Sequence, residues 1–591
     1  YFRTHPPAVA RQRMMTLKFS RGISLVIAAT LVLLFSPALL AASVAPVAAE
    51  HGMVVSAQHL ATRVGVATLR RGGNAVDAAI AVAYALAVVY PAAGNLGGGG
   101  FMTLHLADGR QTFIDFRERA PLAATADMFL DEAGNVIPDL STRSHKAVAV
   151  PGTVAGLELA RKRYGSMRRA LLIAPAIKLA QDGFVLDEGD VLTLQEASAD
   201  LARDPASAAI FLAHGKPLQV GQRLIQKDLA KTLRAISRRG ASGFYQGPVA
   251  AALLAASQAG GGILSQADLR AYTALEREPV RCMYRGYQIV AAPPPSSGGV
   301  TVCQILRILE GYPLAELGYH SAQAVHYQIE AMRYAYADRN HHLGDPQFVK
   351  NPVAELLDPA YAAHLRSLIK AQRAGVSATI KPGVILREGS NTTHFSIADQ
   401  AGNAVSLTYT LNDWFGARLT ADGTGVLLNN EMDDFTAKPG VANLYGLVQG
   451  SANAIAPGKR PLSSMSPTIV TKDGAPVMVL GTPGGSRIIS AVLLTLLNVI
   501  DYGMNIQEAV DAPRFHHQWL PDLTNVETHA LSPDTRALLE AWGHTLAPPQ
   551  PANHLAAILI GAPTLGGAVI PGKRFFGAND PRRNSGLALG Y

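Results

Sequence analysis

The distribution of apolar and polar positions along the chain changes character several times. From Ala75 to Tyr90 almost every position is apolar, with no polar stripe. A helix of that kind has to be buried between layers. Gly72-Gly73-Asn74 opens it, with Asn74 as N-cap and Asp77 at the capping-box position, and Pro91 ends it. Strand-like runs follow at 101–106 and 111–116, after the glycine run Gly97-Gly98-Gly99-Gly100. Residues 150–280 read as helices joined by polar turns. A strand at 287–292 leads through Pro293-Pro294-Pro295-Ser296-Ser297-Gly298-Gly299 into a helix ending near Glu310, and 321–339 predicts a longer amphipathic helix.

Beyond residue 375 the texture becomes that of a sheet. A polar loop at 381–390 precedes alternating strands at 392–399 and 404–412, joined by Asp399-Gln400-Ala401-Gly402-Asn403, which is hairpin turn chemistry. With Ala398 facing Ala404 across that turn, antiparallel register brings Thr392 opposite Thr410, with Asn412 just beyond. A strand at 478–481, a turn at 482–486 and a helix at 487–501 follow. Buried helices combined with alternating antiparallel strands predict a layered α/β sandwich, without internal repeats or long linkers.

Composition narrows the function classes. Of 591 residues 48% are hydrophobic and 16% charged, against about 25% charged in a typical globular chain. The formal charge of +8 suggests a basic surface, but residues 1–49 carry 5 basic and no acidic residues, leaving 47 basic against 44 acidic in the remainder. No basic stripe or domain stands out, and nucleic acid is not an expected partner. Two cysteines exclude a disulfide scaffold, a cysteine zinc site and an iron–sulfur site. Cys282 and Cys303 read as two buried thiols, although an oxidising compartment would allow them to pair. Lys18 and Arg21 precede an apolar run at 22–42, then small residues through Ala49. That order is a cleavable secretory signal, with Met14 or Met15 as the plausible start, and predicts an exported protein with no membrane anchor after cleavage.

Several tempting motifs fail on chemistry. The run of glycines at 97–100 lacks the Lys-Ser/Thr of a phosphate loop and leads into a strand, so close backbone packing explains it. His341-His342 and His516-His517 are adjacent pairs whose side chains diverge, not the i, i+4 pair of a helical zinc site, so no metal is expected. No GxSxG elbow is present. The hairpin remains, with hydroxyls at Thr392 and Thr410 and an amide at Asn412 at one end.

The stretches around that hairpin carry a resemblance. They include 72–77, 94–102, Asp115-Phe116-Arg117-Glu118, 150–156, 293–299, 334–338, Thr392-Thr393-His394, 408–412, 427–435, 460–467, 484–487, 512–520 and Asp580-Pro581-Arg582. In this order, over nearly everything after residue 50, the chain closely resembles the gamma-glutamyltranspeptidase family of N-terminal-nucleophile hydrolases. The resemblance implies a four-layer αββα sandwich with two antiparallel sheets between helix layers. It also implies a precursor that cuts itself between Asn391 and Thr392. After removal of residues 1–49, a large piece (50–391) and a small catalytic piece (392–591) would form one intertwined heterodimer.

The implied chemistry needs no cofactor. Thr392 would serve as nucleophile and, through its new terminal amine, as base, with Thr410 orienting it. Gly484 and Gly485 would supply an oxyanion hole. The ends of a gamma-glutamyl donor fit Arg117, Ser463 and Ser464 at its carboxylate, and Asn412, Glu431 and Asp434 at its ammonium. Such donors are glutathione-like, and the acceptor is water, an amino acid or a peptide. The stretch 438–449, with Tyr445, matches a lid loop and favours these donors over the bulky amides of a cephalosporin or glutaryl acylase. Two departures stand out: 413–418 (Asp-Trp-Phe-Gly-Ala-Arg) is bulkier than the family pattern near the pocket mouth, and position 431 is Glu where relatives carry Glu or Gln. A third reading is an uncleaved exported protein that binds gamma-glutamyl compounds without chemistry.

Overall fold

The computed structural model describes residues 43–591 except 381–391, 439, 442, 445, 446, 448 and 550–552. Ala45–Tyr591 form one compact unit.

Two seven-stranded sheets organise it. In spatial order, the first contains Leu587–Gly590, Gly52–Ser56, Thr393–Asp399, Ala404–Thr410, Gly99–His105, Gln111–Phe116 and Leu275–Arg277. The second contains Val47–Ala49, Phe575–Asn579, Ala556–Ile560, Ala475–Gly481, Thr468–Lys472, Tyr287–Ala291 and Val280–Tyr284. Every pairing within these sheets is antiparallel. The inner faces meet in a thin apolar seam that includes Met53, Val55, Ala398, Ile469, Val479 and Ile558. Hydroxyls also stitch the sheets together: Ser396 Oγ donates to the Ala556 carbonyl at 2.9 Å, and Ser406 Oγ to the Leu480 carbonyl at 2.9 Å.

Helices cover both outer faces. Ala75–Val89 is buried at all 15 positions between the first sheet and the helices around it. The expected capping box is formed: Asn74 Oδ1 accepts from the Asp77 N–H at 2.9 Å, and the Asp77 carboxylate accepts from the Asn74 N–H at 3.1 Å. A cap of this kind contributes about 1 kcal/mol. Each fully buried Val, Leu or Ile contributes about 1.5–3 kcal/mol, so burial decides that this helix forms and the cap decides where it starts. On the other outer face, Gly298–Leu309, Ala322–His342 and Arg487–Ile500 pack over the second sheet in a separate core. The architecture is therefore αββα.

The glycine run is close packing. A Cβ at Gly97 would lie 2.1 Å from the Leu427 carbonyl oxygen, and one at Gly98 1.9 Å from that of Thr410. Two expectations need correction. The second hairpin strand ends at Thr410, not Asn412, because Asn412 adopts φ +78° and turns out of the sheet. Cys282 and Cys303 are not free thiols: they form a disulfide, with Cα atoms 5.9 Å apart. Cys282 lies on the inward-facing side of an alternating strand, and the helix carrying Cys303 packs across that strand, a proximity that sequence spacing did not reveal.

Candidate active site

The hairpin register is as predicted, with Ala398 opposite Ala404 and Thr393 opposite Tyr409. Thr392 sits just before the strand, buried, and its Oγ1 donates to Thr410 Oγ1 at 3.5 Å. Thr410 Oγ1 in turn accepts the Asn412 N–H at 2.8 Å. Behind the strand, His394 bonds Thr408 Oγ1 at 2.8 Å and Ser396 Oγ at 3.1 Å. Its ring lies where any side chain at Gly481 would go, 2.4 Å from a Cβ there. Burial pushes its imidazole down to about 3, so it stays neutral and acts as a spacer between the sheets.

Thr392 opens onto a pocket lined by Arg117, Arg339, Thr392, Thr410, Asn412, Glu431, Asp434, Leu447, Leu462, Ser463, Ser464, Met465, Gly485 and Ile488. Of the predicted residues in the described part of the chain, all but Gly484 line it, and Gly484 adjoins Gly485 in the same turn. Asn391 and Tyr445 lie outside the described residues. Gly484 has φ +133° and Gly485 φ +55°, so the turn is one that side chains disfavour. A Cβ at Gly484 would also sit 2.4 Å from Asn553 Nδ2. Among the described residues the N–H groups of Gly484 and Gly485 donate to no carbonyl or side chain. Both precede the helix Arg487–Ile500, whose positive dipole end lies at this turn.

Arg117 is fully buried at the end of the strand Gln111–Phe116. Its two terminal nitrogens pair with Glu431 and Asp434, and Glu118 Oε2 lies 3.7 Å from Nη1. Burial alone would lower the guanidinium pKa; Glu431, Asp434 and Glu118 overcome it and hold Arg117 charged. The carboxyls respond in the opposite sense. Burial, opposed by Arg117, raises Glu118 to about 7. Burial, with Arg117 opposing and Glu118 and Asp434 adding, drives Glu431 well above the usual carboxylate range.

The far wall is a braced loop. Ser463 Oγ accepts the Met465 N–H at 3.1 Å. The 293–299 motif grips the same loop: Ser296 Oγ donates to the Met465 carbonyl at 2.6 Å and Ser297 Oγ to the Ser463 carbonyl at 2.7 Å. Of the described residues in 438–449, Leu447 lines the pocket, and neighbouring ones are tied to Asp433 and Asp434. The Leu444 N–H donates to Asp433 Oδ2 at 2.9 Å, Ser141 Oγ to Asp433 Oδ1 at 2.7 Å, and Asn443 Nδ2 to Asp434 Oδ1 at 3.3 Å. Burial, opposed by these bonds to Ser141 and Leu444, raises Asp433 to about 7.

The divergent stretch 413–418 does not line the pocket. Asp413 pairs with Arg143 at 2.5 Å, Trp414 stacks edge-on with Tyr90, and Phe415 packs on Phe211. Sequence reading missed Arg339, which lies one residue past a matched stretch on the helix Ala322–His342 and lines the pocket. Its signal was faint: Arg333 and Arg339 share a segment read as amphipathic, but the helix is buried at most of its positions, so no polar stripe marks which arginine enters the pocket. Among the described residues His326, Glu330 and His544 form a metal-like group. His326 and His544 hydrogen-bond to each other at 2.7 Å, and Glu330 is held by Arg333 at 3.1 Å, so internal partners satisfy the group. His516 and His517 are likewise engaged, with Ser490 Oγ at 2.8 Å and the Leu523 carbonyl at 2.9 Å.

A nucleophilic hydroxyl, two unused backbone donors beside it, and opposite charges at the far end suit acyl transfer from a small zwitterion. Comparison with known proteins bears on that chemistry. The model of the family described as Gamma-glutamyltranspeptidase matches residues 61–590. The chain is 68% identical over 552 residues to the glutathione hydrolase proenzyme of Pseudomonas sp. (strain A14), covering 93% of this chain and 96% of the relative. It is 43% identical over 475 residues to the acylase ACY 1 proenzyme of Pseudomonas sp. (strain V22), covering 79% and 83%. Among solved structures, the cephalosporin acylase from Bacillus halodurans superposes with a TM-score of 0.81 at 27% identity, covering 94% of this chain and 99% of that one.

Proposed function

The chain belongs to the gamma-glutamyltranspeptidase family, and from that premise we propose how its pocket works as a glutathione hydrolase and gamma-glutamyltransferase. The observation that carries the reading is Thr392 in one pocket with Arg117, Glu431, Asp434, Ser463 and Ser464.

The enzyme matures by its own chemistry. The Thr392 hydroxyl attacks the carbonyl of Asn391, the peptide bond becomes an ester, and water hydrolyses it, leaving Asn391 as a carboxylate and Thr392 as a new N-terminus. An amide nitrogen accepts no proton; a terminal amine of pKa about 7.7–8.0 does. One residue then supplies both nucleophile and base. Thr410, in reach of Thr392 Oγ1 and fixed by the Asn412 N–H, orients it.

In turnover, Thr392 Oγ1 attacks the gamma-carbonyl of the donor. The developing oxyanion is held by the N–H groups of Gly484 and Gly485, and the amine leaves with a proton from the Thr392 amine. Water or an incoming amine then resolves the gamma-glutamyl ester. A donor's alpha-carboxylate and alpha-ammonium fit by partner exchange. The ammonium takes Glu431, Asp434 and Asn412, which frees the Arg117 fork and the two serine hydroxyls for the carboxylate. The 68% identity to a glutathione hydrolase proenzyme, against 43% to an acylase, supports glutathione-like donors over cephalosporin side chains. The described part of 438–449 supports the same choice, since Leu447 lines the pocket.

Export is part of this proposal. The signal-like residues 1–42 lie outside the described residues, and no helix among those described is long and apolar enough to cross a membrane. The Cys282–Cys303 disulfide is at home in an oxidising compartment.

The test is N-terminal sequencing of the purified protein with its T392A variant. The wild type should give two pieces, the second beginning at Thr392, and release glutamate from glutathione. T392A should remain one chain without activity. A variant that still splits at that bond would sink the self-cleavage mechanism. Faster turnover of a glutaryl-cephalosporin than of a gamma-glutamyl anilide would sink the donor assignment.

A further inference from the structure

Two guanidiniums line the pocket, and they differ in one respect. Arg117 is paired within the protein with Glu431 and Asp434, with Glu118 behind it. Arg339 is just as deeply buried, yet no carboxylate among the described residues lies within 4.0 Å of it. All three of its hydrogen bonds go to neutral groups: Nε to Ser297 Oγ at 2.9 Å, Nη1 to Asn340 Oδ1 at 2.7 Å, and Nη2 to Ser464 Oγ at 2.8 Å. A buried, uncompensated cation is costly. Burial accordingly lowers it to about 10, against the pull of Tyr336 and Asp434.

The bonds also have a direction. A guanidinium only donates, so each serine must turn a lone pair toward Arg339 and its own O–H elsewhere. Ser297 sends its O–H to the Ser463 carbonyl at 2.7 Å. Ser464 Oγ donates to no group among the described residues, and it lines the pocket, so its O–H points to the ligand side. Ser463 Oγ, accepting from the Met465 N–H, is set the same way.

We propose that Arg339 is the positioning residue of the donor-carboxylate end of this pocket: it fixes Ser464 as a donor, steadies Ser463 through Ser297, and supplies the positive charge that an incoming alpha-carboxylate offsets. This rests on the gamma-glutamyl reading above and adds to it a residue and a division of labour. Arg117 exchanges partners between protein and donor, whereas Arg339 stays fixed. It also gives the 293–299 motif a task, as the relay between Arg339 and the serine loop.

The experiment compares two competitive inhibitors of gamma-glutamyl anilide hydrolysis, L-glutamate and 4-aminobutyrate, which keeps the amine but lacks the alpha-carboxylate. In R339M the Ki for L-glutamate should rise about 10-fold or more, as for loss of a hydrogen-bonded charge, while that for 4-aminobutyrate stays within about 2-fold. The KM for the anilide should rise with the glutamate Ki, and kcat should hold, because the Thr392 chemistry is untouched. R339K, which keeps the charge without the fork, should recover part of the glutamate affinity. Equal weakening of both inhibitors, or no weakening of either, overturns the proposal. If R339M does not mature, R339K alone decides by the same comparison, and failure of both to mature assigns Arg339 a purely structural role and overturns it. Inactivity of the wild type on the anilide would instead reject the enzyme reading itself.

Discussion

At the scale of single residues, the pocket is a set of charges and hydroxyls whose partners are chosen by burial. Thr410 matters because its oxygen lies between Thr392 and the Asn412 N–H. T410A should mature slowly and lose about 10²-fold in kcat, within the range for a group assisting proton transfer, measured on the matured fraction. R117K replaces a fork by a point charge, which cannot satisfy Glu431 and Asp434 together. Its KM for gamma-glutamyl donors should rise about 10-fold, and an unchanged KM would remove Arg117 from the donor site. Asp433 gives a pH signature. Its folded pKa is raised to about 7, first by burial, so the folded state holds the proton more tightly than the unfolded chain does. Stability associated with this carboxyl is therefore complete below the unfolded pKa of about 4 and declines as pH rises toward 7. D433N keeps an acceptor for the Leu444 N–H without the charge. Its melting temperature should match the wild type near pH 4 and exceed it by a few degrees above pH 7; a constant offset across that range would show that Asp433 stays ionised.

At the scale of elements, the decisive features are close approaches. The turn at Gly484 and Gly485 combines positive φ with contact on Asn553. G484A should fold but lose at least about 10²-fold in turnover, the cost of a misplaced oxyanion donor. The bridge between Cys282 and Cys303 ties a strand of the second sheet to the helix packed on it, closing a separation of 21 residues. Removing both thiols (C282A with C303A) should cost about 3 kcal/mol and lower the melting temperature, with maturation and KM unchanged because neither cysteine lines the pocket.

At the scale of the whole molecule, the cut proposed at Thr392 falls inside an interleaved fold. In the first sheet Gly52–Ser56 pairs with Thr393–Asp399, and Ala404–Thr410 with Gly99–His105, so strands from the two sides of the cut pair directly with each other. The second sheet repeats this, with Val47–Ala49 on Phe575–Asn579 and Tyr287–Ala291 on Thr468–Lys472. The two pieces should therefore elute together in native chromatography and part only in denaturant; separation without unfolding would contradict the interleaving. Much of this was legible beforehand. The helix at Ala75–Val89 announced itself by lacking a polar face, and the hairpin register followed from one turn. Most pocket residues were legible through the family resemblance, because their motifs are local. The amino-acid order alone thus determined the layered class, the caps, the turns and the threonine at the head of a strand, all of which depend on neighbours within a few positions. Only the tertiary structure decided that Cys282 meets Cys303, that Asp413–Arg418 does not line the pocket, and that Arg339 enters it without a counter-charge. Those facts depend on which distant surfaces meet, and a helix or strand does not carry in its own periodicity the identity of what will pack against it.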